Sequence, residues 1–167
     1  TFAAVDTVSA RFNYNTDLGC RTDTLTFSHN GAHDVNSWTW LFNNNNTITT
    51  PVHTVVWPAS STNTARLIVS NGVCSDTADA TIVLDNEVIA SFEMPQEMCP
   101  EDLLQITNTS TGLIDTWTWN YLVGNSNLQT PPLIRFPANN IERLYTIKLV
   151  ASNNSIGCSD SMSKVLK

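Results

Sequence analysis

Residues 36–42 read Asn36-Ser37-Trp38-Thr39-Trp40-Leu41-Phe42, and residues 115–121 read Asp115-Thr116-Trp117-Thr118-Trp119-Asn120-Tyr121. Two tryptophans that are two residues apart lie on one face of a β-strand, because successive side chains alternate between faces. The pair recurs in both stretches, so it belongs to a repeat. One face with two tryptophans suits either a domain core or a sugar-binding platform. We predict core positions for all four, with the first tryptophan of each pair nearer the edge.

Other landmarks recur and define two copies of one domain. Ala10-Arg11-Phe12 matches Ala90-Ser91-Phe92. A repeat of about 80 residues is long enough to bury a small core of its own. We therefore place domain 1 at residues 1–86, with residues 1–7 as the remnant of a linker, and domain 2 at residues 87–167. Only a short linker, residues 85–87, separates the last strand of the first copy from the second copy, so we read the chain as two links of a longer array.

The pattern of apolar runs predicts an all-β fold. Short runs such as residues 67–69, 81–84 and 145–150 are separated by turn-rich stretches such as residues 43–46 and 124–127. No apolar run of useful length follows a helical period. About seven short strands at this spacing are typical of a sandwich, so we predict two tandem immunoglobulin-like β-sandwiches.

Composition excludes several classes of partner. Charged residues make up 14% of the chain, while Asn, Ser and Thr together supply about a third. The formal net charge is -7 and the isoelectric point is near 4.6, so the basic face that nucleic-acid binding requires is missing. No apolar run approaches the ~18 residues of a membrane span, so we expect no membrane insertion.

The four cysteines occupy equivalent places, two in each copy: Cys20, Cys74, Cys99 and Cys158. They lack the close pairs that bind zinc. Repeat symmetry predicts that Cys20 pairs with Cys74 and that Cys99 pairs with Cys158, which would indicate an oxidising compartment. The alternative is four free buried thiols.

No constellation of residues supports catalysis or a cofactor. His29 and His33 are four residues apart, but they fall in a loop of an all-β chain, so we predict a polar loop and no metal site. Trp57 and Tyr14 differ between the copies, since the second copy has Phe136 and Pro95 or nearby residues in their places. They are the candidates for contact with a ligand such as a glycan, since a sugar platform needs exposed aromatic rings.

These landmarks resemble the PKD domain, an immunoglobulin-like module named from the polycystic kidney disease protein. Residues 104–110, Leu104-Gln105-Ile106-Thr107-Asn108-Thr109-Ser110, fit the family pattern V-x-F-x-N-x-S, and residues 145–153 fit Y-x-V-x-L-x-V-x-N. Pro51-Val52-His53 is similar to the family's P-x-H segment. Trp40 and Trp119 occupy the position of its strand tryptophan.

One family element is replaced in both copies. The turn W-D-F-G-D-G corresponds to Trp40-Leu41-Phe42-Asn43-Asn44-Asn45 and to Trp119-Asn120-Tyr121-Leu122-Val123-Gly124. Both acidic positions are lost, so the resemblance gives no support for cation binding at this turn.

The paired cysteines and the ending Gly157-Cys158-Ser159-Asp160-Ser161 resemble PKD repeats from large surface proteins of gliding bacteria with type IX secretion. Such proteins are adhesins or secreted multidomain enzymes in which PKD arrays act as spacers. The resemblance implies a non-catalytic extracellular or cell-surface spacer whose partners are neighbouring domains of one long chain. The alternative is a glycan- or protein-binding accessory module of a secreted polysaccharide-degrading enzyme. The resemblance also implies candidate O-glycosylation at four Asp-Ser/Thr motifs: Thr7, Thr24, Thr77 and Ser161.

Overall fold

The computed structural model describes residues 7–99, 101–137 and 143–167, and every regular element in them is a β-strand. The chain divides into two compact units, Thr1–Asp85 and Asn86–Lys167, one residue before the predicted boundary. Each unit is an immunoglobulin-like β-sandwich, so the predicted all-β tandem fold is confirmed. Within the described residues, no helix is long and apolar enough to cross a membrane.

The first unit is built from two facing antiparallel sheets, with strand orders β1-β2-β5 and β4-β3-β6-β7. Its strands are β1 (Asn13–Asp17), β2 (Thr22–Ser28), β3 (Ser37–Phe42), β4 (Asn45–Ile48), β5 (Val52–Pro58), β6 (Ser60–Ser70) and β7 (Ser75–Asp85). Strand β6 alternates buried and exposed residues along most of its length. That alternation is the pattern of a sheet with one face on the core.

The second unit repeats the four-stranded sheet as β12-β11-β14-β15, while the facing side is divided into the pairs β8–β10 and β9–β13. Its strands are β8 (Phe92–Glu93), β9 (Leu103–Leu104), β10 (Thr107–Asn108), β11 (Thr116–Asn120), β12 (Asn125–Ser126), β13 (Ile134–Arg135), β14 (Tyr145–Asn153) and β15 (Cys158–Leu166).

The first strand of this unit is shorter than the sequence predicts. The apolar pattern favours a strand over residues 88–92, but the ladder is reduced to β8 and one bridge, Ile89 with Thr111. The reason is local. The amide of Ser91 donates to the side-chain oxygen of Ser110, and the amide of Ala90 donates to Asp160, instead of extending a strand ladder.

One tryptophan lies at the centre of each core. Trp40 and Trp119 are fully buried, whereas Trp38 and Trp117 are half-buried at the edge. Each central indole N–H donates to a backbone carbonyl of the segment after the neighbouring short strand, from Trp40 to Thr50 at 2.9 Å and from Trp119 to Leu128 at 3.0 Å. A buried indole needs such a partner, and the two units supply it in the same way.

Candidate functional site

In both units, the first residues of the domain are tied to the start of the last strand. The amide of Ala10 donates to Asp76 Oδ2 at 2.8 Å, and the amide of Ala90 donates to Asp160 Oδ2 at 2.9 Å. The Ala10 amide, and after it the Thr77 amide, lowers the pKa of Asp76 below its ordinary value, because both bonds favour the carboxylate. We call this end of each sandwich, where the chain enters, the leading end.

The chain leaves each sandwich at the opposite end of the same last strand. Asp85, the last residue of β7, pairs with Ser60. In the second unit, Lys167 follows β15 and exchanges backbone hydrogen bonds with Gln96 and Met98. We call this the trailing end. A strand rises about 3.3 Å per residue, so Asp76 and Asp85 are separated by about 30 Å.

The chain is also held where it enters the second unit. Gly112 has φ +95°, and a Cβ at this position would lie 1.8 Å from the carbonyl oxygen of Glu87. The Ile89–Thr111 bridge follows directly.

The predicted disulfide pairing is wrong. Cys74 and Cys99 carry free thiols, and Cys20 and Cys158 are disulfide-bonded. Each predicted bridge would have to join opposite ends of one sandwich.

The lengths of the strands show how far apart the two cysteines of each predicted bridge lie. Cys20 lies at the trailing end, beside the Arg21–Ala59 hydrogen bond, whereas Cys74 lies in the β6–β7 hairpin at the leading end. The eleven-residue strand β6 separates them by about 30 Å, far beyond the ~6 Å between the Cα atoms of a disulfide. Strand β15 separates Cys99 from Cys158 in the same way, by about 25 Å.

His29 is part of a structural hydrogen-bond network at the leading end. The amide of Gly31 and the indole N–H of Trp38 both donate to His29 Nδ1 at 3.1 Å. Nδ1 is therefore the acceptor, so Nε2 carries the proton and donates to the Ser9 carbonyl at 2.8 Å. Both ring nitrogens of the buried imidazole are used, which accounts for His29 without a metal.

The other histidines lie elsewhere. His33 adopts a left-handed conformation with φ 63° in the following loop, and the ring of His53 stacks on Phe42 at 5.6 Å. Within the described ranges, no group of three or more His, Cys, Asp or Glu side chains could hold a metal ion.

The second unit has Asn108 at the position of His29. Its Oδ1 accepts the amide of Ser110 at 3.0 Å, which reproduces the turn that His29 makes with Gly31. Its Nδ2 donates to the Gln129 carbonyl at 2.6 Å. The shorter side chain leaves the indole N–H of Trp117, the counterpart of Trp38, buried with no hydrogen-bond partner among the described residues.

The turns at residues 40–45 and 119–124 are closed in different ways. In the first unit, Asn43 and Asn44 have φ of 51° and 59°, the left-handed pair that a tight hairpin turn requires. The side chain of Asn43 also bonds β6, where it accepts the Thr64 amide and donates to Asn63. Asparagine thus supplies the left-handed conformation of this turn, and the Asn43 side chain joins the turn to strand β6.

In the second unit, the same turn places an exposed leucine in the left-handed region. Leu122 has φ 64° and its side chain is 71% exposed. The ring of Tyr121 covers Gly124, where a Cβ would lie 2.9 Å from Cε2, and its hydroxyl donates to the Asn125 carbonyl. Tyr121 therefore explains the glycine, and the side-chain oxygen of Asn120 accepts the Leu122 amide at 3.2 Å.

Trp57 does not form an exposed platform. It is buried, with its ring 5.8 Å from Phe27 and 6.0 Å from Phe42. Phe136 occupies the equivalent buried position in the second unit. Of the two candidate ligand contacts, Tyr14 is the exposed one, at 43%, on strand β1.

An open groove of about 560 Å³ runs between strands β4 and β5 of the first unit. Phe42, His53 and Trp57 contribute to its lining, along with Val56. Phe42 and Trp57 are buried, so they present little ring surface to the groove.

The four candidate O-glycosylation positions differ in accessibility. Thr7, Thr77 and Ser161 are exposed, and Thr24 is half-buried in β2, the central strand of its sheet. Asp76 and Asp160 directly precede Thr77 and Ser161. Their carboxylates accept the hydrogen bonds from the amides of Ala10 and Ala90. The fold therefore explains the aspartate of the repeated Cys-Ser-Asp motif, and the modification stays a prediction.

Comparison with known proteins finds a similarity in structure and no matching family model. No protein-family model matches the chain, and no curated protein matches its sequence. The chain is similar in structure to the three N-terminal domains of the Highly Immunogenic Outer Capsid protein (Hoc) of bacteriophage RB49, with a TM-score of 0.45 and 15% identity. That alignment covers 93% of this chain and 57% of the phage chain.

Proposed function

We propose that the chain is a non-catalytic spacer within a larger extracellular protein. The observation that carries this proposal is the route of the polypeptide through each sandwich. In both units the chain enters beside the start of the last strand and leaves at the end of that strand. A domain with this route separates the segment of chain before it from the segment after it. In the first unit this separation is about 30 Å, the distance between Asp76 and Asp85 along β7.

The groups that the two units share also support a structural role. The central tryptophans and the aspartates at the leading ends all bond to the protein's own backbone. The bonded cysteines, Cys20 and Cys158, are typical of an oxidising, extracellular environment. We further propose that the two units are PKD domains of an adhesin or secreted multidomain protein of gliding bacteria with type IX secretion. This assignment depends on the sequence motifs.

A distance measurement tests the proposed route. Nitroxide labels are attached through ketone-bearing unnatural residues at the exposed positions Arg11 and Asp85, so that all four cysteines keep their native state. We expect a narrow distribution centred between about 25 and 40 Å, since the two positions lie at opposite ends of β7. A distribution centred below about 20 Å would mean that the chain enters and leaves at one end, and the spacer proposal would be abandoned.

A binding function is the second candidate, and the groove between β4 and β5 is the observation that favours it. Its lining combines the ring of His53 with the exposed side chain of Val56. Screening the intact chain against a glycan array tests this alternative. Binding that is lost in Val56→Asp and kept in Val83→Asp, a change at another exposed valine of the same unit, would establish the groove as a site. Binding that both variants keep would exclude the groove.

A further inference from the structure

A disulfide in this repeat has to join a cysteine of one sandwich to a cysteine outside that sandwich. Each unit carries one cysteine at its leading end, Cys74 or Cys158, and one at its trailing end, Cys20 or Cys99. The two ends are too far apart for a bond within one sandwich, by the strand lengths given above. A disulfide at any of these positions therefore needs a cysteine that lies outside its own sandwich.

One position of each kind is already bonded. Cys20 represents the trailing-end position and Cys158 the leading-end position, and both are disulfide-bonded. Their repeat equivalents are Cys99, which is exposed, and Cys74, which is half-buried, and both are free thiols. Cys20 and Cys158 thus show that both positions in this fold can hold a disulfide. The two free cysteines again include one at a trailing end and one at a leading end.

We propose that Cys74 and Cys99 are the two remaining disulfide positions of the chain, and that Cys99 of one copy bonds Cys74 of a second copy. The bond joins a trailing end to a leading end. Because the two contact surfaces are different, the contact is heterologous, and repeating it produces an open string of copies. This inference depends on the cysteine positions alone and stands whether or not the spacer function is correct.

The chemistry is thiol–disulfide exchange with a small disulfide oxidant such as oxidised glutathione. The thiolate of Cys99 attacks a glutathione sulfur, so a mixed disulfide forms and one glutathione thiolate leaves. The thiolate of Cys74 from the second copy then attacks the Cys99 sulfur, and the second glutathione leaves. Two protein thiols are oxidised, one glutathione disulfide is reduced to two thiols, and the thiol protons go to the leaving thiolates or to solvent.

Two single variants provide the test, because each retains one of the free thiols. Cys74→Ser, labelled with ¹⁵N, retains Cys99, and unlabelled Cys99→Ser retains Cys74. The two are mixed in equal amounts with oxidised glutathione, and intact mass separates the mixed dimer from the two like dimers. Peptide mapping checks that Cys20 and Cys158 stay bonded, and Cys74→Ser/Cys99→Ser, which has neither free thiol, is the control.

We expect the mixed dimer to exceed either like dimer by about tenfold, whereas indiscriminate pairing gives only about twofold. The linking peptide should contain Cys74 and Cys99, and the double variant should stay monomeric. The statistical ratio, or no dimer at all, would overturn the proposal. So would a wild-type monomer that loses two hydrogens by joining its own Cys74 and Cys99.

Discussion

The amide of Ala10 donates to the carboxylate of Asp76 across 2.8 Å, although 66 positions separate the two residues in the chain. The bond fastens the beginning of the domain to the first residues of its last strand. Ala90 and Asp160 repeat it at 2.9 Å in the second unit. It explains why an aspartate recurs at this place in both copies, and it defines the leading end of each sandwich.

This bond predicts a specific dependence of stability on pH. The pKa of Asp76 lies below its ordinary 3.8, first because of the Ala10 amide and then because of the Thr77 amide. A carboxylate whose folded pKa is lowered stabilises the fold above its unfolded pKa, and this contribution disappears as the pH falls through the folded value. Asp76→Asn should therefore lower the free energy of unfolding of the first unit at pH 7.

The difference in free energy of unfolding between wild type and Asp76→Asn should stay constant down to about pH 5 and shrink below about pH 4. Hydrogen exchange of the β6 amides measures it, because β6 lies at the centre of its sheet. A difference that is unchanged at pH 3 would show that the ionised carboxylate does not matter.

Gly112→Ala should strongly destabilise the second unit. The new methyl group would meet the Glu87 carbonyl, and the residue would also have to hold φ +95°. We expect a loss of about 3–5 kcal/mol. Gly72→Ala is the matched control, because Gly72 has φ +89° but no atom within 4 Å of the added Cβ. That variant should lose about 1–2 kcal/mol from backbone strain alone, and equal losses in urea unfolding would contradict the role of the Glu87 contact.

The two edge tryptophans should respond differently to the same change. Trp38→Phe removes a hydrogen bond to His29, whereas Trp117→Phe removes an indole N–H that has no partner among the described residues. Unfolding free energies from hydrogen exchange of β3 and β11 should show that Trp38→Phe costs about 1–2 kcal/mol more. Adding Asn108→His should stabilise wild type more than it stabilises Trp117→Phe, since only the indole can use the new acceptor. Identical costs would mean that the His29 bond contributes nothing.

Trp57 and Tyr14, the two candidates for ligand contact, differ in burial, so their replacement should differ in cost. Trp57→Ala should cost about 3–5 kcal/mol, because it empties a buried site beside Phe27 and Phe42. Tyr14→Ala should cost about 1 kcal/mol or less, since the side chain is largely exposed. Thermal unfolding compares the two. A nearly neutral Trp57→Ala would return Trp57 to the candidates for ligand contact.

Repetition is the part of the sequence that predicts structure well. The tryptophan pairs and the late strands need only strand periodicity, so the sandwich core follows from them. Repetition misleads at Trp57, because its counterpart Phe136 looks like a difference between the copies although both are buried aromatic residues. An aromatic residue of either kind fills the same space.

The cysteine pairing could not be obtained from symmetry. Equivalence shows that Cys20 matches Cys99, but it does not show which end of a sandwich either residue occupies. That depends on the direction of each strand, and β6 carries the chain from the trailing end to the leading end before Cys74. The bond from Ala10 to Asp76 was hidden for a similar reason, because it joins residues at opposite ends of the first unit's sequence.

Pulling single molecules of the full chain by its two ends tests the spacer most directly. Force applied between the leading and trailing ends loads the β6–β7 and β14–β15 ladders along the strands, so many hydrogen bonds must break together. The Cys20→Ser/Cys74→Ser/Cys99→Ser/Cys158→Ser variant is used, so that no disulfide limits extension. We predict two separate unfolding events, one for each compact unit, with each releasing about 25 nm of chain. Asp76→Ala and Asp160→Ala should lower the force of one event each. Smooth extension without distinct events would contradict a mechanical spacer.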